Sequence, residues 1–207
     1  MNPLQRVIAR FRRRSRWERH WGKGRHPNWL VEGPREQVRA AREDGWIEPG
    51  ASVVDLGCGM GNTAAWLAEQ GHRVWAVDFA KGAIRQGRER YGTVPGLRLE
   101  QVDVTRPMRV DTPYDVVLDL GCVHQLPGSA RPAYAANVRR LTRPGSRMLV
   151  LMRVWGGESA RTPDEKAVSL RKHLGNDFEL VRAEHTQLQG EHADSATPGV
   201  ELRFVRR

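Results

Sequence analysis

The stretch Val53-Val54-Asp55-Leu56-Gly57-Cys58-Gly59-Met60-Gly61-Asn62 decides how this chain is read. The apolar residues before the first glycine read as a buried strand. The three glycines on alternate positions mark the turn where that strand becomes a helix. Such a turn lets the backbone approach a ligand closely, at the positive end of the helix that follows. A dinucleotide site wants G-x-G-x-x-G, whose third glycine would fall at position 62. Asn62 stands there, so that spacing fails.

On both sides of the loop, short apolar runs alternate with amphipathic stretches, which is the βαβα rhythm of a parallel sheet. The expected strands are Ser52–Leu56, Arg73–Asp78, Leu97–Val102, Tyr114–Leu120, Arg147–Met152, Phe178–Glu184 and Val200–Val205. Helices are expected over Thr63–Gln70, ended by Gly71, over Lys81–Tyr91 and over Pro132–Leu141, with Pro144-Gly145 as a turn. Thr162-Pro163-Asp164-Glu165 is a capping box with proline at the first helical position, so a further helix should start there and stop near Gly175. Gln187–Gly199 has no periodicity and reads as a loop. No helix joins the last two strands, so the final one should return antiparallel. The expectation is an α/β fold with a seven-stranded, mostly parallel sheet, helices on both faces and an antiparallel last strand.

A chain of 207 residues leaves room for one full domain and an appendage. Its 39% hydrophobic content suffices for a core. Two cysteines, Cys58 and Cys122, cannot staple a secreted scaffold, and no cysteine or histidine cluster has metal-ligand spacing, so no metal and a reducing, cytoplasmic location are expected. The longest apolar run, Met148–Met152, is far too short to span a bilayer. Arg10, Arg12, Arg13 and Arg14 interrupt any signal-peptide core. Charge is unevenly placed. Residues 1–25 carry nine Arg and Lys against Glu18 alone, or +8 of the formal +10. Residues 1–44 therefore read as a basic, tryptophan-rich arm, and residues 45–207 as the nearly neutral body it is attached to.

The glycine loop resembles motif I of the class I S-adenosylmethionine-dependent methyltransferases, D/E-x-G-x-G-x-G, matched by Asp55, Gly57, Gly59 and Gly61, and the resemblance covers most of residues 45–206. It implies a Rossmann-like sheet and S-adenosylmethionine as cofactor, with Cys58 and Asn62 in the same loop. Asp78, at the end of the second strand and followed by Phe79, would accept from both ribose hydroxyls, since a carboxylate suits a diol. Asp103 matches the position that receives the adenine amino group, with Val104 beside the ring. A turn cap before Thr105 is the competing role for Asp103. Asp119 closes the fourth strand at the same edge.

After that strand, Gly121-Cys122-Val123-His124-Gln125 faces the place where the methyl group would sit. His124 and Gln125 are the candidate catalytic pair. His124 would accept a proton or orient the substrate, against a plain role in capping the turn. The N/D-P-P-Y/F/W motif of nucleic-acid base methyltransferases is absent. Together with Pro132-Ala133-Tyr134 and Arg143-Pro144-Gly145, this stretch is similar to small bacterial methyltransferases related to the thiopurine, tellurite and halide enzymes. Their usual targets are small molecules. Trp17-x-x-x-Trp21-x-x-Gly24, then Pro27-x-Trp29, is similar to the N-terminal segment of the thiopurine type, which implies that Trp21 and Trp29 close over the cofactor.

These resemblances imply methyl transfer to an O, N or S nucleophile of a small molecule, in specialised metabolism. Methylation of lipid headgroups or RNA, or a non-catalytic S-adenosylmethionine-binding module, are the alternatives. Leu4, Val7, Ile8 and Phe11 repeat at helical spacing among arginines, so residues 1–16 are expected to make at most weak, salt-sensitive contact with nucleic acid or anionic membrane. Neither the acceptor atom nor the oligomeric state is legible.

Overall fold

A computed structural model describes residues 15, 17–22, 26–27, 29–154, 162–189 and 196–207. The amphipathic repeat over residues 4–11 lies outside the described residues. The elements are α1 (Glu36–Glu43), β1 (Ser52–Leu56), α2 (Asn62–Glu69), β2 (Arg73–Asp78), α3 (Lys81–Tyr91), β3 (Leu97–Gln101), β4 (Tyr114–Asp119), α4 (Arg131–Leu141), β5 (Thr142–Arg153), α5 (Pro163–Leu174), β6 (Phe178–Leu188) and β7 (Thr197–Arg206).

The seven strands form one sheet in the order β3-β2-β1-β4-β5-β7-β6. Strands β1 to β5 pair in parallel where they meet, and β7 lies antiparallel between β5 and β6. The antiparallel last strand is as expected. The period-2 alternation of the strands divides the core into two layers. Val53, Val74, Ala76 and Leu118 face α1, α2 and α3 through Val38, Ala41, Leu67 and Ile84. Val54, Leu56, Val77 and Val117 face the other way, against Tyr134, Val138, Leu141 and Leu170 of α4 and α5. Helices therefore cover both faces, and only the strand ends are left for function.

Four local features differ from expectation or add to it. Helix α1, absent from the expected elements, buries Val38 and Ala41 completely. The turn expected at Pro144-Gly145 is a bulge within β5: Tyr114 pairs with Thr142 but Val116 with Arg147, and Gly145 takes φ 86°. The last hairpin is longer than expected, with β6 reaching Leu188 and β7 starting at Thr197. β6 is the sheet's edge and most of its side chains are exposed, so backbone pairing with β7 extends it past the point where apolar alternation stops. The capping box at Thr162 forms as expected, with Glu165 N–H donating to Thr162 Oγ1 and Thr162 N–H to Glu165 Oε2. Among the described residues no helix is long and apolar enough to cross a membrane.

Candidate functional site

The strand order reverses between β1 and β4, and open α/β sheets bind ligands at the carboxyl ends of the strands beside such a switch point. A cavity of about 530 Å³ occupies that edge. A smaller concavity, of about 390 Å³, lies at the opposite ends of the strands around Asp115, Arg143 and Arg147. Its charges are committed to structure: Asp115 accepts from Ser52 N and Oγ at 2.8 and 2.7 Å and pairs with Arg143, and Arg147 meets Glu48 at 2.7 Å.

The glycine loop forms the floor of the main cavity. Gly57 N and Cys58 N donate to Val77 O at 2.8 and 3.0 Å, which ties the loop to the end of β2. Gly57 has φ 79°, and a Cβ there would lie 2.7 Å from Cys122 Cβ. No other residue fits between the loop and the turn after β4. A Cβ on Gly59 would lie 3.1 Å from the Trp21 ring, so the arm's indole rests directly on the loop. Asp78 sits under it, accepting from Gly59 N at 3.0 Å and from Ala80 N at 2.8 Å. Burial raises its pKa to about 6 against those two bonds.

Asp55 is 1% exposed and lines the cavity, and its Oδ1 has no hydrogen-bond partner. Burial, with the nearby charges of Asp119 and Asp78, pushes its pKa to about 8. Arg35 is the nearby cation. Its guanidinium donates to Trp29 O and to Gln189 O, and its own pKa is lowered by burial while Asp55 opposes that shift. A buried acceptor without a donor, beside two further carboxylates, makes this end of the cavity attractive to a cation.

The structure brings together Asp55, Gly57, Cys58, Gly59, Asn62, Asp78, Phe79, Asp103, Val104, His124, Gln125, Trp21 and Trp29 on one cavity wall or another. Several polar groups among them also have structural partners. The Asn62 amide donates to Val31 O and accepts from Tyr91 Oη, anchoring the segment after Trp29. Asp103 Oδ1 accepts from Thr105 N and Oγ1, so the turn cap is present although the residue also lines the cavity. Burial raises the Cys58 thiol well above its usual pKa and keeps it protonated.

Gly61 and Asp119 do not line the cavity. A Cβ on Gly61 would meet Leu99 at 2.8 Å, so this glycine lets α2 pack on β3. Asp119 is fully buried and accepts from the Gly121, Cys122 and Val123 backbone and from Tyr134 Oη at 2.6 Å. It therefore builds the turn that carries His124, and burial raises its pKa to about 6. His124 and Gln125 lie on that turn with their Nε2 atoms 2.8 Å apart. An amide nitrogen only donates, so His124 accepts at Nε2.

Sequence reasoning missed three groups. Arg35 caps helix α1, which is absent from the expected elements. Arg153, at the carboxyl end of β5, had a signal in its position at the end of the apolar run Met148–Met152. Glu18 caps α3, accepting from Lys81 N at 2.7 Å and Gly82 N at 3.1 Å, while Gln86 Nε2 donates to Trp21 O. These bonds dock the arm on the domain.

Residues 53–145 match the model of a methyltransferase domain family. The 2-heptyl-1-hydroxyquinolin-4(1H)-one methyltransferase of Mycobacteroides abscessus is 28% identical over 129 residues, 61% of this chain and 56% of that protein. Probable thiol methyltransferase 2 of Arabidopsis thaliana is 25% identical over 158 residues, 74% of this chain and 68% of that one. The aligned part thus spans little more than half the length of the Mycobacteroides enzyme. The 1,6-didemethyltoxoflavin-N1-methyltransferase of Burkholderia thailandensis, with S-adenosylhomocysteine bound, has the same fold at 23% identity, with a TM-score of 0.75 over 100% of this chain and 91% of that one. The domain match over residues 53–145, the glycine loop and the fold are those of the class I S-adenosylmethionine-dependent methyltransferases. The residues present fit that cofactor: the glycine floor admits a ligand against the backbone, and Asp55 Oδ1 lacks the donor that an ammonium group carries.

Proposed function

We propose that this protein moves a methyl group from S-adenosylmethionine to a small-molecule nucleophile. The observation that carries the reading is Asp78, a buried carboxylate at the end of β2 that its two backbone donors hold against the glycine loop, facing the cavity. In this reading Asp78 accepts from the ribose hydroxyls, Phe79 and Val104 flank the adenine, and Asp103 receives its amino group. Asp55 and Arg35 seat the charged amino-acid end, ammonium on the first and carboxylate on the second. When bound, the cofactor supplies a methyl group already activated by a cationic sulfur. The protein's share is then alignment and exclusion of water. Trp21 on Gly59, with Trp17 and Trp29, shields the floor, and His124 and Gln125 orient the acceptor.

The relatives named above act, by their names, on a hydroxyquinolone, on thiols and on 1,6-didemethyltoxoflavin, which supports a small acceptor. The test is incubation of the purified protein with methyl-labelled S-adenosylmethionine and a panel of small phenols, thiols and heteroaromatic amines. Label should move to at least one of them and S-adenosylhomocysteine should accumulate with it. Tight cofactor binding with no transfer to any class would favour a binding module instead.

A further inference from the structure

Helix α1 joins two sides of the cavity. Val38, Ala41 and the bond from Arg203 to Asp44 at 2.6 Å fix most of it to the sheet, while its first residues reach the last hairpin. Arg35 donates to Gln189 O and, through its other terminal nitrogen, to Trp29 O at 2.7 Å, so one guanidinium links the hairpin wall to the N-terminal segment. Two residues on, Gln37 Nε2 donates to Thr186 Oγ1 and to Gln187 O, each at 2.8 Å. Gln37 is 7% exposed and does not line the cavity, whereas Leu188 and Gln189, which follow its partners, do.

The sheet explains why the hairpin needs this hold. Alternate residues of an antiparallel edge strand turn their backbone groups outward. Gln187 opposes Pro198, whose carbonyl accepts from Val154 N on the β5 side at 2.9 Å, so the Gln187 carbonyl points away from β7. The ladder offers it no donor, and Gln37 supplies one. On the α1 side of the strand Leu188 packs over Gly199, where a Cβ would lie 2.6 Å from Leu188 Cγ. Resting on the methyl-transfer reading above, in which Arg35 seats the cofactor's carboxylate, we infer that Gln37 is a positioning residue that couples cofactor binding to the order of the hairpin wall at Leu188 and Gln189. Two of the five guanidinium N–H groups of Arg35 serve Gln189 and Trp29, so a carboxylate on the others releases neither. The carboxylate immobilises the guanidinium, and the restraint passes to Gln189 O. With Gln37 holding the two residues before Leu188, the wall is set before the acceptor arrives. Coupling of this kind is reciprocal, so loosening the hairpin at Gln37 weakens the cofactor's hold.

The probe is S-adenosylhomocysteine, and the readout is amide exchange along β6 in the full chain. Saturation should slow exchange over residues 186–189 at least about fivefold more than over residues 178–180, at the end of the strand that Arg35 and Gln37 do not touch. Gln37→Met keeps the bulk of the side chain and removes an Oε1 that has no partner. It should erase the difference between the two ends and bind S-adenosylhomocysteine about three- to tenfold more weakly by calorimetry. A merely structural loss would raise exchange alike with and without the ligand. Thr186→Val, which loses one of the two acceptors, should shift both readings in the same direction, and Thr186→Ser, which retains it, should leave them near the wild type. Equal slowing at the two ends of β6, no slowing, a Gln37→Met protein that keeps the excess or the wild-type affinity, or a Thr186→Val protein indistinguishable from Thr186→Ser overturns the inference. If Gln37→Met fails to fold, the wild-type difference and the two Thr186 variants still decide. Failure of the wild type to bind S-adenosylhomocysteine is the separate result that overturns the methyl-transfer reading itself.

Discussion

Asp55 and Asp78 show how single residues set the character of this site. Both carboxyl groups are buried, and their pKa values are raised to about 8 and about 6. An ammonium group and ribose hydroxyls favour the ionised forms, so cofactor affinity should rise with pH from about 6 to about 8, until the ligand's own ammonium group begins to lose its proton. On acidification it should fall by up to about tenfold per pH unit within the window and more steeply below it, where both groups are protonated. A calorimetric pH series checks this, and affinity independent of pH across the window would contradict it. Asp55 also bears on stability. Its folded pKa lies above the ordinary value, so its contribution is fully present below about pH 4 and is lost progressively as pH rises to about 8. Asp55→Asn, which cannot ionise, should melt several degrees higher than the wild type at pH 8 while binding S-adenosylmethionine more weakly. Gly57→Ala should do harm on both counts, because φ 79° and the 2.7 Å approach to Cys122 Cβ leave no room for a methyl group. Left-handed strain alone costs about 1–2 kcal/mol. For His124, occupied at Nε2 by Gln125, His124→Asn should leave the pH profile of turnover flat for an acceptor that is already ionised.

Among the elements, those with a strong period were legible and those without one were not. β1, β2 and β4 are buried at nearly every position, and the ends of β1 and β2 carry the acidic residues, Asp55 and Asp78, that mark the site. β6 escaped in part because an edge strand with an open face carries little apolar alternation, and Val181 points outward at 57% exposure. Helix α1 escaped because it is short and polar along most of its length, with only Gln37, Val38 and Ala41 buried. With α1 went Arg35. The contact between Glu18 and α3 was illegible for another reason: it joins residues 63 and 64 positions apart, and the helix has no side-chain cap of its own to betray the need. A borrowed N-cap of this kind is worth roughly 0.5–2 kcal/mol. Glu18→Ala should therefore speed amide exchange at Lys81 and Gly82 and increase quenching of Trp21 fluorescence by a soluble quencher. Unchanged protection in the variant would show that Glu18 does not hold the arm.

The whole molecule is a sheet whose faces are sealed by helices and whose carboxyl edge is roofed by the N-terminal segment. The glycine loop, the two site carboxylates and the seven strands were readable because each reflects local chemistry. Arg153 and the roof needed the topology that brings β5, the last hairpin and residues 17–35 to one edge. Deleting residues 1–29 removes Trp17, Trp21, Glu18 and Trp29 together, and should weaken cofactor binding in plain buffer and lower domain stability as well, since the Glu18 cap of α3 and the buried Trp21 go with it. Tight binding of the intact protein to RNA or anionic vesicles, lost on that deletion and steeply salt-dependent, would instead give the basic segment a role in recruitment.

The central claim is that the Asp78 edge holds S-adenosylmethionine. Isothermal titration of S-adenosylhomocysteine into the wild type and Asp78→Ala tests it most directly, because the product analogue binds without turnover. A hydrogen-bonded charged acceptor contributes about 1.5–3 kcal/mol, so the variant should bind ten- to about a hundredfold more weakly with its melting temperature close to that of the wild type. Equal affinity in a folded Asp78→Ala protein, or no binding by the wild type, would contradict the account.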